Sequence, residues 1–274
     1  MTWPERWDIE CLDSITKYPS IPSYHEHGDR GRLTEELSIR FEPEEEWEAT
    51  EKMDGVSARI ILTPYGWLLG SRDQLLTHEH DVVRNPRLRI CETLVPLVQG
   101  FDSTGQDSIV CVYGEVYGGH KGELGKRSHH YAPNGETGFR VFDVVDLCLR
   151  EAALLFRLPL QKIAQWRDVG NQPFQSRGQV QHWCSLLRLE HVPLLTGGTG
   201  KDLPKTLAES YEFLTTCSPQ QSRAGLLGQS ARPEGLVIRN PSRTKIAKLR
   251  FEDYERTSRV ETTVFPPREK VEST

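Results

Sequence analysis

The chain has 274 residues, of which 36% are hydrophobic and 27% charged, a globular composition that excludes a disordered or fibrous protein. No apolar run approaches the roughly 18 residues of a membrane span, and residues 1–6 lack the basic-then-apolar start of a secretory signal. An intracellular, cytoplasmic protein with no membrane partner is expected, and its net charge of −5 does not advertise a nucleic-acid binder.

Residues 1–50 read as a lead-in, with turns at Pro19, Pro22 and Gly28 followed by an extended polar segment. From Trp47 the pattern changes to short strands. Residues 56–62 alternate and are β-branched, Tyr65-Gly66 makes a turn, and 67–70 returns. The valine-rich runs 109–116 and 139–147 have the length of buried strands. Apolar residues at three- and four-residue steps predict helices over 158–166, 180–190 and 203–217, with Pro204 near a helix start. Residues 196–202 resemble a P-loop, but Leu195 and Asp202 stand at two of its defining positions, so a flexible loop is expected. Residues 236–238 and 246–249 close the pattern as two strands about the Asn240-Pro241-Ser242 turn. The sum is an α+β protein with a largely antiparallel sheet and helices packed on it.

Charge is unevenly spread. Residues 35–54 hold nine acids and two bases, whereas 239–259 hold seven bases and three acids, a basic stripe able to hold phosphates. The six cysteines form no CxxC pair and read as free thiols rather than zinc ligands. His78-Glu79-His80 and His129-His130 read as surface histidines.

The chemistry lies in six short signals. Lys52 stands two residues before Asp54-Gly55, with Arg59 seven residues on. A lone lysine beside such a turn is ordinarily a solvated surface residue. Here it is followed in order by Ser71-Arg72, Gly114-Glu115, Phe142-Asp143, Glu234-Gly235 running to Arg239, and the cationic strand Lys245 to Arg250. Six in this order do not arise by accident.

The ordered set, spanning residues 51–250, resembles the motif series of the covalent nucleotidyltransferases: DNA ligases, RNA ligases and mRNA capping enzymes. Lys17-Tyr18-Pro19-Ser20-Ile21 and the surroundings of Glu115 are most similar to the RNA ligase 2-like group. The resemblance implies an ATP-grasp-like adenylation domain of largely antiparallel sheets flanked by helices, with the nucleotide pocket between them. It places a lead-in over 1–46, the nucleotidyltransferase domain over 47–259 and a tail over 260–274. No OB-fold is expected, because only 24 residues follow Arg250.

It also implies roles. Lys52 is the expected nucleophile, an amine that must lose its proton although a free lysine titrates near about 10.4. Lys248 is expected to hold the α-phosphate. Its neighbours Lys245 and Arg250 both compete to assist it, and strand alternation favours Arg250. Glu115 would accept from the ribose hydroxyls, with Gly114 and Gly118 leaving room. Phe142 would stack on the purine, and Glu234 would hold magnesium or manganese. Arg59 and Arg72 would fork onto ribose or phosphate, Arg72 also touching the acceptor end. Glu51 adjoins the base, which the family reads chiefly through backbone groups.

The implied activity is ATP-dependent RNA ligation of 5′-phosphate and 3′-hydroxyl ends through a lysyl-AMP, with an end-healing enzyme as a compatible partner. An ATP-dependent DNA ligase or a GTP-dependent capping guanylyltransferase shares the motifs. A catalytically silent end-binding protein is the reading of another class. RNA affinity is expected to come mainly from the stripe over 239–259.

Overall fold

We describe the protein from a computed structural model, which covers residues 7–78, 81–82, 88–219, 222–224 and 232–264. In chain order the elements are α1 (Ile9–Thr16), β1 (His25–His27), β2 (Leu33–Leu37), β3 (Glu46–Lys52), β4 (Val56–Thr63), β5 (Gly66–Ser71), β6 (Thr77–His78), β7 (Asp81–Val82) and α2 (Ile90–Val98). They continue with β8 (Ser108–Gly118), β9 (Thr137–Cys148), α3 (Leu149–Leu155), α4 (Leu160–Asp168), α5 (Arg177–Leu187), β10 (Glu190–His191) and β11 (Leu194–Thr199). The last are α6 (Leu207–Cys217), β12 (Gly235–Arg239), β13 (Ile246–Arg250) and α7 (Phe251–Val264).

Two sheets carry the fold. The larger has the order β10-β9-β8-β4-β5 and is antiparallel except for the β10–β9 pair. Its central strands are covered on both faces, which is why they read as apolar runs. One face, with Ile60, Leu62, Val110, Val112 and Val141, packs on α2 and α5. The other, with Ile61, Cys111, Tyr113 and Val145, packs on α1, α3 and α4. The smaller sheet, β11-β3-β12-β13, is wholly antiparallel. Trp47, Ala49, Leu236, Ile238, Ala247 and Leu249 form its apolar face under α6 and α7. Period-two alternation therefore turns Thr50, Lys52, Val237, Arg239, Ile246, Lys248 and Arg250 to the opposite face, where a cavity of about 550 Å³ separates the two sheets.

A bulge sets the other wall. Tyr113 pairs with Asp143 and Gly114 with Val141, leaving Phe142 as an extra residue in β9. Consecutive strand residues normally face opposite ways, yet Phe142 and Asp143 both line the cavity. Gly114 is needed at the bulge, since a Cβ there would lie 2.3 Å from the Phe139 ring and 2.5 Å from the Arg140 carbonyl. Gly118 is fixed by its own φ of +92° and by the Glu136 carbonyl, 2.1 Å from where a Cβ would stand. Both glycines are required by strand packing alone.

The expected strands and the three expected helices are present with boundaries shifted by a few residues. Three differences matter. The lead-in contains α1, whose Asp8 cap accepts from the Glu10 and Cys11 amides at 2.8 and 3.1 Å. Residues 194–199 are not a loop but the edge strand β11, its glycines packed close on Trp47. The basic stretch after β13 begins a helix, α7. All six cysteines are free. Among the described residues no helix is long and apolar enough to cross a membrane.

Replacing Gly114 by valine is expected to cost about 1–3 kcal/mol, because the bulge must open to admit the side chain. Thermal denaturation would read this as a Tm several degrees lower.

Candidate active site

The cavity floor is a grid of three rows set by strand register. Lys52, Gly235 and Arg250 share the first row, Thr50, Val237 and Lys248 the second, and Glu48, Arg239 and Ile246 the third. The first row is the charged end. The Lys52 Nζ donates to Glu234 Oε2, and the other Glu234 oxygen lies 3.6 Å from Arg250 Nη1. Arg250 is held by a fork of 2.7 and 2.8 Å onto Asp253. Burial lowers the pKa of the neighbouring Lys248 from the ordinary lysine value, and the Arg250 and Lys52 charges lower it further. Across the cavity, burial pushes the Glu115 carboxyl up to about 7, opposed by Lys52 and reinforced by Glu234 and Asp54.

Phe142 and Val237 line opposite walls, one from each sheet. Arg72 is exposed at the rim, its Nη2 3.4 Å from Ser20 Oγ. The lead-in forms part of the wall: Tyr18 to Ile21 line the cavity, and Ser23 bridges to Lys248 on the edge of β13. Glu51 is buried, and its carboxylate accepts from Ser222 Oγ and, at 2.9 Å, from the Arg223 amide. That side chain is occupied by the protein itself.

A sequence model for RNA ligases matches residues 45–251. The chain belongs to the RNA ligase family. The matched region contains every residue of the series from Lys52 to Arg250. No curated protein sequence matches the chain significantly. Solved structures of Naegleria gruberi RNA ligase share the fold. A variant without ligand aligns over 95% of this chain and 64% of its own, at 12% identity and a TM-score of 0.51. The enzyme with pyrophosphate aligns over 88% and 64%, at 14% identity and a TM-score of 0.51. A variant with ATP and manganese aligns over 89% and 62%, at 13% identity and a TM-score of 0.50. The chain thus spans less than two thirds of the length of these RNA ligases.

Three expectations for this RNA ligase family member are corrected. Arg59 does not line the cavity: it is fully buried, donating to Asp13 Oδ1 and to the Asp13 carbonyl at 3.1 Å, so it braces α1. Lys245 lies in the β12–β13 turn, paired at 2.7 Å with Glu45 and away from the cavity, which Lys248 and Arg250 both line. Most of the described cations in the stripe over 239–259 are buried, paired or line the cavity. Arg239 and Arg243 are buried on Asp143 at 2.7 and 2.9 Å, and Arg256 is spent on Asp253. Of the two histidine groups, Glu79 and His80 lie outside the described residues.

Sequence reasoning missed the cluster under Phe142. Asp143 takes both arginines and, at 2.6 Å, the Tyr18 hydroxyl. The Tyr18 ring meets Phe142 edge-on at 5.0 Å, and Arg243 lies 3.5 Å over Phe174. Arg239 closes the cluster onto Glu48 at 2.7 Å. The partners are far apart in the chain: Tyr18, Asp143 and Arg239 each belong to a separate signal, Arg243 belongs to none, and nothing local joins them.

The carboxylates suit a hard divalent cation: Glu115, Glu234 and Asp54 line the same cavity as Lys52, and the Glu234 and Asp54 charges raise the Glu115 pKa. Among the described residues no three such ligands already converge on one point. An ion here would complete its shell with phosphate oxygens and water, as magnesium commonly does.

Glu115 yields a prediction with a definite sign. Between pH 4.5 and about 7 the folded protein keeps a proton that the unfolded chain has released, so this group's contribution to stability falls across that window. Glu115→Gln is expected to raise Tm by several degrees at pH 8, equivalent to roughly 2–3 kcal/mol. At pH 5 the gain should be small. Calorimetry at the two pH values checks it.

Proposed function

We propose that the protein is an ATP-dependent RNA ligase acting through a lysyl-AMP intermediate. The observation that carries this reading is the first two rows of the cavity floor, where Lys52, Lys248, Arg250 and Glu234 meet opposite Glu115. Three cations converging there suit a triphosphate, because phosphoryl transfer depends chiefly on positioning and charge neutralisation. The adenine would lie between Phe142 and Val237, and the ribose hydroxyls would donate to Glu115.

Three steps follow. The Lys52 Nζ is released from Glu234, loses its proton and attacks the α-phosphorus of ATP; a P–N bond forms and pyrophosphate leaves. A 5′-phosphate oxygen of RNA then attacks the same phosphorus, breaking the P–N bond and forming a 5′–5′ anhydride. Finally a 3′-hydroxyl attacks the RNA 5′-phosphorus and AMP departs. Lys248 and Arg250 hold phosphate oxygens, and Arg72 at the rim stands where the RNA end would enter. Glu234 is the oxygen donor best placed for a magnesium or manganese ion, which when bound supplies neutralisation of the triphosphate charge.

With ATP and magnesium, intact-mass spectrometry is expected to show the protein gaining one AMP. Lys52→Ala should lose the adduct completely. Lys248→Ala should lower its rate by about 10²-fold or more, the scale of losing one preorganised charge contact. GTP offered alone should give no adduct, and nicked DNA should be sealed far more slowly than nicked RNA. An adduct surviving in Lys52→Ala would remove the nucleophile assignment. A GTP adduct would reassign the protein to the capping chemistry.

Phe142→Ala is expected to raise the KM for ATP about tenfold while leaving the maximal rate of adduct formation within a few-fold. The lost contact is base stacking, worth about 1–3 kcal/mol.

A further inference from the structure

With most of the described cations of the 239–259 stripe buried, paired or lining the cavity, other cations are better placed to guide the RNA backbone. The segment between β8 and β9 supplies them. Residues 119–131 contain Lys121, Lys126, Arg127 and three histidines against a single acid, Glu123. That acid is turned back into the protein, accepting from the His120 amide at 2.7 Å and lying 3.8 Å from Arg89.

This segment is built, not merely solvated. Leu124, Ser128 and Tyr131 are buried beneath it. The Ser128 Oγ accepts from the Gly118 amide at 3.0 Å. Two bonds tie it to the turn that follows Lys52: the Arg127 amide donates to Asp54 Oδ2 at 2.7 Å, and the Asp54 amide donates to the Tyr131 hydroxyl at 3.3 Å. Gly125 permits the approach, since a Cβ there would stand 2.5 Å from Asp54 Oδ1. On the far side Lys126 reaches Glu252, two residues beyond Arg250, in an exposed 2.9 Å pair. The segment therefore runs along the first-row end of the cavity, from the Asp54 side to the Arg250 side.

Its cations are available. Among the described residues the side chains of Lys121 and Arg127 make no ion pair or hydrogen bond. An exposed pair such as Lys126–Glu252 is worth about 0–1 kcal/mol and exchanges readily. Asp54 ties down the backbone here, leaving the charged side chains of the segment to other partners.

We propose that residues 119–131 form a phosphate-binding lip that takes the RNA backbone next to the 5′-phosphate end, through Lys121, Lys126 and Arg127. This rests on the ligase reading and deepens it. A polyanionic strand fits better than an acidic peptide, because the lip continues the cationic row that would hold the adenylate. Backbone contacts of this kind set affinity and register without reading sequence.

The test is the double variant Lys121→Ala/Arg127→Ala, neither residue lining the cavity. Adduct formation from ATP should match the wild type, and Tm should be unchanged. Transfer of AMP from the preformed adduct to 5′-phosphorylated RNA should show a KM for RNA about tenfold higher with little change in maximal rate. Fluorescence anisotropy of the same RNA should show the slope of log Kd against log salt reduced by between one and two. An unchanged RNA affinity and slope would overturn the proposal. So would a rise confined to the KM for ATP, which would give the lip to the triphosphate instead. Should the wild type take up no AMP at all, the ligase reading fails, and the anisotropy comparison still decides the lip.

Discussion

Everything in the cavity is arranged around a lysine whose charge is balanced before any substrate arrives. The Lys52 amine sits on Glu234, Glu234 leans on Arg250, and Arg250 is forked by Asp253. In the proposed mechanism the Lys52 amine attacks phosphorus, so this chain of charges would have to open first. The pair is only half-buried, with side-chain exposures of 23% and 24%. That limits how much attraction must be overcome, since the same contact in a dry interior would be far stronger.

The third row obeys the opposite logic. Asp143 is 1% exposed and carries two arginines and a tyrosine hydroxyl. Burying such a group is costly, and removing one partner from it typically costs 3–5 kcal/mol. The arrangement makes structural sense because of what it touches. Tyr18 packs edge-on against Phe142, and Phe142 stands in its position only through the bulge opposite Gly114. The ionic cluster thus locks an aromatic wall, whereas the first row stays adjustable.

Residue type and strand period made much of this legible. Alternation alone places Lys248 and Arg250 on one face, and the six ordered motifs supply Lys52, Glu115, Phe142 and Glu234 to one cavity. Arg59 and Lys245 show where that reasoning stops. Both are cations near motif residues, and nothing local distinguishes them from a phosphate ligand. Their destinations are decided by Asp13, 46 residues away, and Glu45, 200 residues away. Helix α1 was hidden for a related reason: eight residues capped by Asp8 are too short to carry a periodic signal, and it is held by packing on Ile61 and Tyr113.

The same principle governs the two basic segments of the chain. Residues 239–259 are rich in cations because strands β12 and β13 form the floor of the cavity and must meet the acids of the lead-in and of β9. Arg239, Arg243 and Lys245 spend their charge on those acids, while Lys248 and Arg250 line the cavity. Residues 119–131 are less conspicuous in sequence, yet their backbone is fixed by Asp54, while among the described residues the Lys121 and Arg127 side chains have no ion-pair or hydrogen-bond partner. Local charge density therefore misleads whenever the segment carrying it is also a core strand. What decides whether a cation faces solvent or an internal acid is the hydrogen-bonding of its own backbone, and that is set by the register of the sheet.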